Sequence, residues 1–466
     1  MANDLARWQF ATTSIYHFLF VPVTIGLAFL VAMLHTAWYR TDNPDYKRMT
    51  RFFGTLLLIN VAVGVVTGLV QEFEFGMNWS TYSRYVGGVF GAPLAMEGLA
   101  AFFLESTFLG LWLFGWDRLP RRVHLATIWA VSLGTLLSAM FILIANSWMQ
   151  HPVGYKLVHG KAELNNVWAL FINPTFLWGY VHVILASLVT GALVMLAVSA
   201  WYLRKQRHVE SFYRTAKIAL VVLIPTIVIQ LSVGNKLGEI EAHYQPMKIA
   251  AAEAQWNSCK PCSFSAAQFG GFRSNKENPT VVVPIPHLLS VLGTGTWNGP
   301  VTGLNQLQKQ YQKRYGPGNY IPNVAIQYWS MRTMAYLGSL VLLLALWGGW
   351  LLLRGTLARS RIFLWLSIWA VLTPFVMNTA GWLLTESGRQ PWIVQGLQKT
   401  ISANSPSVTA TDIWISLIAL AVVYIILAAV DLGLMLRYSR RGLAEADAEA
   451  ARPSEATADA APALTY

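Results

Sequence analysis

Charge is the scarcest property of this chain. Asp, Glu, Lys and Arg make up 12% of its 466 residues, against about 25% in an ordinary soluble domain. With 55% of residues hydrophobic, that deficit excludes a water-soluble globule. Cysteine is nearly absent: only Cys259 and Cys262 occur, which excludes a disulfide-built scaffold. No internal repeat is visible, which weighs against the inverted-repeat transporters. The net charge of +12 does not point to nucleic acid, because the basic residues fall in short loops between apolar runs. Lipid is the partner that such a composition requires.

Long apolar runs are abundant instead. Runs able to cross about 30 Å of hydrocarbon occur at 14–39, 51–75, 93–116, 123–149, 176–203, 217–235, 326–353, 360–384 and 408–436. Backbone polar groups in lipid must be satisfied internally, so the expected fold is all-α with about nine transmembrane helices. Short connectors make 93–116/123–149 and 326–353/360–384 antiparallel hairpins. Many of the 20 Trp lie near run ends, where an amphipathic ring suits the membrane interface. The first run is too long for the apolar core of a cleaved signal and is read as a span.

Four regions follow: spans one to six in 1–235, a long polar insertion in 236–325, spans seven to nine in 326–441, and a tail in 442–466. The insertion, rich in Gly, Pro, Gln and Asn, is expected to be functional or mobile. The tail of Ala, Glu, Asp and Pro reads as disordered. Basic residues mark alternate loops: Arg40, Lys47, Arg48 and Arg51; Arg118, Arg121 and Arg122; Arg204, Lys205, Arg207, Arg214 and Lys217; Arg354, Arg359 and Arg361; Arg437, Arg440 and Arg441. The positive-inside rule then puts the N-terminus and the insertion outside, and the C-terminus in the cytoplasm.

Ionisable residues inside spans are costly and mark function by default. They are His17, Glu97, Glu105, His182, Arg332 and Glu386, with Met334 as a soft ligand. Each has a bland alternative. A lone His is usually a bonded bundle residue, Met is common core filler, and Arg332 can snorkel outward. The other histidines (His35, His124, His151, His159, His208, His243, His287) sit in loops or at interfaces. The pattern is what matters. At 1.5 Å per residue, His17, Glu97, His182, Met334 and Glu386 all fall in the outer half of the membrane, on five helices. His with Met makes an iron porphyrin six-coordinate and suited to electron transfer, whereas a lone His or carboxylate leaves a position open for oxygen.

Several stretches make the pattern recognisable: WQFATTSIYHFLFVPVTIG, QEFEFGMNWSTYSRYVGGVFGAPLAMEGLAAFFLESTFLG, ANSWMQHPVG, GNKLGEIEAHYQPMKIAAAEAQW and GWLLTESGRQPW. From about Arg7 to Tyr438 the sequence resembles subunit I of the cytochrome bd-type quinol oxidases. The resemblance implies three haems: a low-spin haem b, a high-spin haem b and a haem d. It implies His182 and Met334 as ligands of the low-spin haem, with Arg332 beside it. It gives His17 and Glu386 one each of the other two, unassigned between them. Glu97 would lie near the oxygen-reactive haem, Arg389 near propionates, and Lys248 and Glu253 at the quinol site of a short loop. It also implies a second multi-span subunit, sometimes small single-span ones, quinol and O2 as substrates, and a bacterial cytoplasmic membrane.

If the protons for oxygen reduction come from the cytoplasm, they must cross much of the bilayer. Glu105 lies eight residues after Glu97, about 12 Å deeper on a helix running inward. Ser106, Ser138 and Asn146 are expected to complete a water file with it, and the family uses positions matching Glu105 and Ser138 in this way. Cys259-Lys-Pro-Cys262 is not a family motif; on the oxidising side it is expected to be a disulfide. Two rivals stand beside this reading. A di-haem cytochrome b would use bis-His ligation and no oxygen-reactive haem; a secondary transporter would hold no haem.

Overall fold

The computed structural model describes residues 2–274 and 279–443, so the expected tail lies outside the described residues beyond 443. Among the described residues, nine helices are long and apolar enough to cross a membrane. They are Ala2–Thr41 (span 1), Pro44–Met77 (2), Ser80–Phe114 (3), Arg121–Gln150 (4), Pro174–Arg204 (5), Val209–Tyr244 (6), Val324–Leu353 (7), Arg361–Gly388 (8) and Ala410–Arg440 (9).

Most of these helices outrun their apolar cores, and three departures matter. Span 1 begins at Ala2 rather than 14, so His17 lies well inside a helix of 40 residues. Span 3 begins at Ser80, not 93. Its first turns hold Ser, Tyr, Arg and Gly, too polar for an apolar window. They are held by the hairpin Tyr155–Leu164, against which a Cβ on Gly88 would come within 2.8 Å of the Ala162 carbonyl. Glu97 is therefore in mid-helix rather than near the end of its span. It opens a π-helical stretch, Glu97–Phe102, so an offset reckoned on an unbroken α-helix does not apply between Glu97 and Glu105. Span 6 continues to Tyr244, because Lys, Leu, Glu, Ile and Ala after Gly234 are good helix formers. The insertion thus starts at Gln245, not 236.

Spans 1, 2, 5 and 6 form the centre, with Leu27, Phe53, Leu193 and Leu223 fully buried. Small residues let backbones touch there. A Cβ on Gly26 would meet the Ser187 carbonyl at 2.2 Å, and one on Gly191 would meet Gly26 at 2.5 Å. Span 8 is broken at Val371–Leu372, and its second half restarts at Thr373 with Pro374 in the first turn, where the missing N–H costs nothing. Span 9 exposes Trp414, Ile418, Val422 and Ile425.

The insertion is folded. It opens with the helix Pro246–Ala252 and closes with the helix Leu304–Tyr315. Between them two short strand pairs form, Phe264–Ser265 with Pro284–Ile285 and Gln268–Phe269 with Thr280–Val281. Met247, Ala251, Leu304, Leu307, Tyr328 and Trp392 join in a separate core that seats it on spans 7 and 8. Cys259 and Cys262 are disulfide-bonded.

Candidate functional site

Three ligand-type side chains each face a glycine on a neighbouring helix. His17 lies against Gly68 of span 2, where a Cβ would come to 3.1 Å from its ring, and its Nδ1 is 3.0 Å from the Thr67 hydroxyl. His182 of span 5 faces Gly234 of span 6, where a Cβ would stand 3.3 Å away. Gln230, one turn back, brings its amide to 3.3 Å from His182 Nε2. The Met334 sulfur of span 7 lies 3.6 Å from the Cβ position of Gly381 on span 8. An apolar cavity of about 490 Å³ opens between spans 1, 7 and 8, lined by Leu19, Ser330, Thr333, Thr379 and Leu383 among others.

Glu386, in the last turn of span 8, accepts from Asn146 Nδ2 at 2.9 Å and from Arg389. Arg389 is buried, and its Nε and Nη1 have no partner among the described residues. Two guanidinium donors without an acceptor are costly; an acidic group docking there would satisfy them.

Glu97 accepts from Ser138 at 2.8 Å, while its second oxygen is buried without a partner among the described residues. Spans 3 and 4 approach closely one turn further along. A Cβ on Gly134 would meet the Glu105 backbone at 3.0 Å. Ser106 stands on an exposed face and leans on its own helix at the Phe103 carbonyl. Asn146, two turns after Ser138 on span 4, bonds Glu386 and Gln150.

Lys248 and Glu253 do not pair with each other. They leave the short helix in different directions, and each finds its own counter-ion. Lys248, fully buried, donates to Glu241 at 3.1 Å and to Gln150 at 2.9 Å. Glu253 caps the helix toward span 7, where Arg332 holds it at 2.7 Å. Arg332 does not snorkel; it is 1% exposed. It also donates to the Ala252 and Ser265 carbonyls and lies 3.7 Å from the Tyr328 ring centroid. Burial pushes the Glu253 carboxyl up from its usual range, with Arg332 opposing. Burial pulls the Lys248 ammonium down, with Glu241 opposing. Glu241, Gln150 and Gln230 are site residues that the sequence reading missed. Glu241 and Gln150 lie in motifs quoted for the family, but uncharged Gln at a helix end carries no signal alone.

These features define a class: a polytopic α-helical membrane protein that carries imidazole, thioether and carboxylate side chains on its spans and a folded insertion held by Arg332 and Lys248. Comparison with known proteins narrows it. The family described as cytochrome bd terminal oxidase subunit I matches residues 5–443, and the chain belongs to that family. It is 46% identical over 440 residues to cytochrome bd ubiquinol oxidase subunit 1 of Bacillus subtilis (strain 168), covering 94% of this chain and 93% of that one. It is 38% identical over 498 residues to cytochrome bd-II ubiquinol oxidase subunit 1 of Escherichia coli (strain K12), covering 94% and 96%. The solved bd oxidase of Geobacillus thermodenitrificans superposes with a TM-score of 0.84 at 27% identity, covering 94% of this chain and 98% of that one.

Proposed function

We propose that the chain oxidises quinol at the insertion and reduces O2 to water at haems held by His17, His182, Met334 and Glu386, separating charge across the membrane without a pump. As a member of its family it is a subunit of a bacterial terminal respiratory quinol oxidase with haem cofactors, working with another subunit. The finer reading rests on one observation above all. His17, His182 and Met334 carry the donors that haem iron takes, Glu386 adds a carboxylate, and beside it the buried Arg389 holds two donors with no partner among the described residues.

The residues present fit haem. His182 and Met334 would hold the low-spin haem b. His17 and Glu386 would hold the high-spin haem b and the haem d, in an order left open. The unpartnered donors of Arg389 suit a propionate. Bound haem supplies electron transfer and an iron that takes oxygen.

The protein's own residues supply the protons and positions. Glu253 accepts a quinol proton, and Arg332 fixes the carboxylate. Lys248 offers a donor to a quinol oxygen. Positive-inside topology puts these groups on the outer side, so released protons leave there. Glu105 and Glu97, with Ser138, carry protons from the cytoplasmic side, and Ser106 adds a hydroxyl on the same span. Each charge crossing 100 mV is worth about 2.3 kcal/mol, so opposite-side chemistry alone conserves energy.

Two results test this. Glu253 works as its carboxylate, and its pKa is raised by burial. The kcat/KM for quinol should therefore fall as pH drops through a value above the usual 4.5, and Glu253→Gln should remove that limb. Glu105→Gln should slow oxygen uptake and charge movement together, by about 10- to 100-fold if proton delivery becomes limiting. Full turnover and charge movement in that variant would end the proton role of Glu105.

A further inference from the structure

A hydrogen-bond chain joins the insertion to the carboxylate of Glu386. Lys248 Nζ donates to Gln150 Oε1 at 2.9 Å. Gln150 Nε2 donates to Asn146 Oδ1 at 2.8 Å. Asn146 Nδ2 donates to Glu386 Oε1 at 2.9 Å. Gln150 and Asn146 are four residues apart on span 4, and so are neighbours on one face of the helix. Lys248 and Gln150 are buried, at 0% and 5% exposure.

The two ends fix the direction of every link. An ammonium can only donate, and an ionised carboxylate can only accept. Flipping the Gln150 amide would set an NH2 against the ammonium. Flipping Asn146 would set a carbonyl oxygen against the carboxylate. All three donors therefore point from Lys248 toward Glu386. Linked bonds of one polarity strengthen one another in a low-dielectric interior. Side-chain amides do not relay protons as water or hydroxyls do, because that needs the unfavourable imidic tautomer. The chain transmits position and polarisation, not a proton.

We propose that Gln150 is a positioning residue that couples occupancy of the quinol site at Lys248 to the electronic character of the Glu386 carboxylate. The inference rests on the proposed roles of Lys248 at the quinol site and of Glu386 as a haem ligand. An ammonium has three N–H donors, and Lys248 commits two, to Glu241 and Gln150. A quinol oxygen that takes up the third, or competes with Gln150, weakens the polarisation passed along the chain. Glu386 then keeps more of its electron density for the iron, which favours the oxidised metal. The substrate site thus acts on the oxygen side of the chain with no movement of the helices. The Gln150 backbone carbonyl separately accepts from Gln245 at 3.1 Å, so a side-chain substitution leaves that tie to the insertion in place.

The test uses the whole membrane complex with its partner subunit. Haem midpoint potentials are measured by spectroelectrochemistry, with and without the quinone-site probe 2-heptyl-4-hydroxyquinoline N-oxide. In the native complex the probe should shift the potential of the haem that Glu386 holds. In Gln150→Leu the shift should disappear at probe concentrations that saturate the variant, whatever its Kd. Gln150→Glu keeps the volume and an acceptor for Lys248 but offers Asn146 no donor, so it should lose the shift too; it decides the matter where the Leu variant fails to assemble. A shift of native size in either variant overturns the proposal. So does a native complex that binds the probe with no shift. Glu386→Gln that retains every haem band would instead remove the ligand reading beneath it.

Discussion

Met334→Leu should abolish the low-spin haem b bands and cut quinol-driven oxygen uptake by more than about 100-fold, beyond the 10- to 100-fold typical of lost outer contacts at a metal. Leucine is close to methionine in volume, so the packing against Gly381 survives. The change is therefore chemical: the thioether that would hold the low-spin haem is gone. The helices should remain assembled, and the other haem bands should remain. His182→Leu should give the same spectral loss. Native low-spin bands in the Met334 variant would remove that residue as ligand. Uptake measured with an artificial donor that bypasses the quinol site separates loss of the haem from loss of quinol binding.

Arg332→Met should disable both the fold of the insertion and turnover, by a different route. The guanidinium neutralises buried Glu253 and holds the Ala252 and Ser265 carbonyls. Removing it leaves the carboxylate and the Ala252 carbonyl without that donor, while the Ser265 carbonyl keeps the Tyr328 hydroxyl. Breaking a buried pair from one side costs about 3–5 kcal/mol, more than a short insertion packed on two spans can absorb. The insertion should become sensitive to protease, and quinol turnover should fall at least about 10-fold. Adding Glu253→Gln removes the stranded charge. It should restore protease resistance but not turnover, because the proton acceptor is then absent. Recovery of both would show Arg332 and Glu253 to be structural only.

The contrast between Arg332 and Glu386 shows what sequence can carry. Apolar runs reveal nine helices, because crossing about 30 Å of lipid leaves few other choices. Their ends were harder to read. The first turns of span 3 and the last turns of span 6 are polar helix held by other parts of the protein, and hydropathy does not register such support. Glu386 stood out because a carboxylate within an apolar span is costly. Arg332 stood out for the same reason, with snorkelling as its bland alternative; its clamp on Ala252, Glu253 and Ser265 depends on an insertion folding back about 70 residues from its own position. Lys248 and Glu253 read as neighbours of opposite charge. The structure gives each another partner, because Glu241 approaches from span 6 and Arg332 from span 7. Gln150 was invisible for a plainer reason. Its meaning lies in what stands at the two ends of its hydrogen bonds, and no single residue or spacing encodes that.

The most direct test of the account is a reduced-minus-oxidised visible spectrum of the purified complex, repeated after adding carbon monoxide. The account predicts haem b bands and a far-red chlorin band that moves when carbon monoxide is added, marking a haem with an open position for oxygen. Haem b bands alone, unmoved by carbon monoxide, would contradict it and favour an electron-transfer cytochrome; a stable complex with no haem bands would contradict it outright.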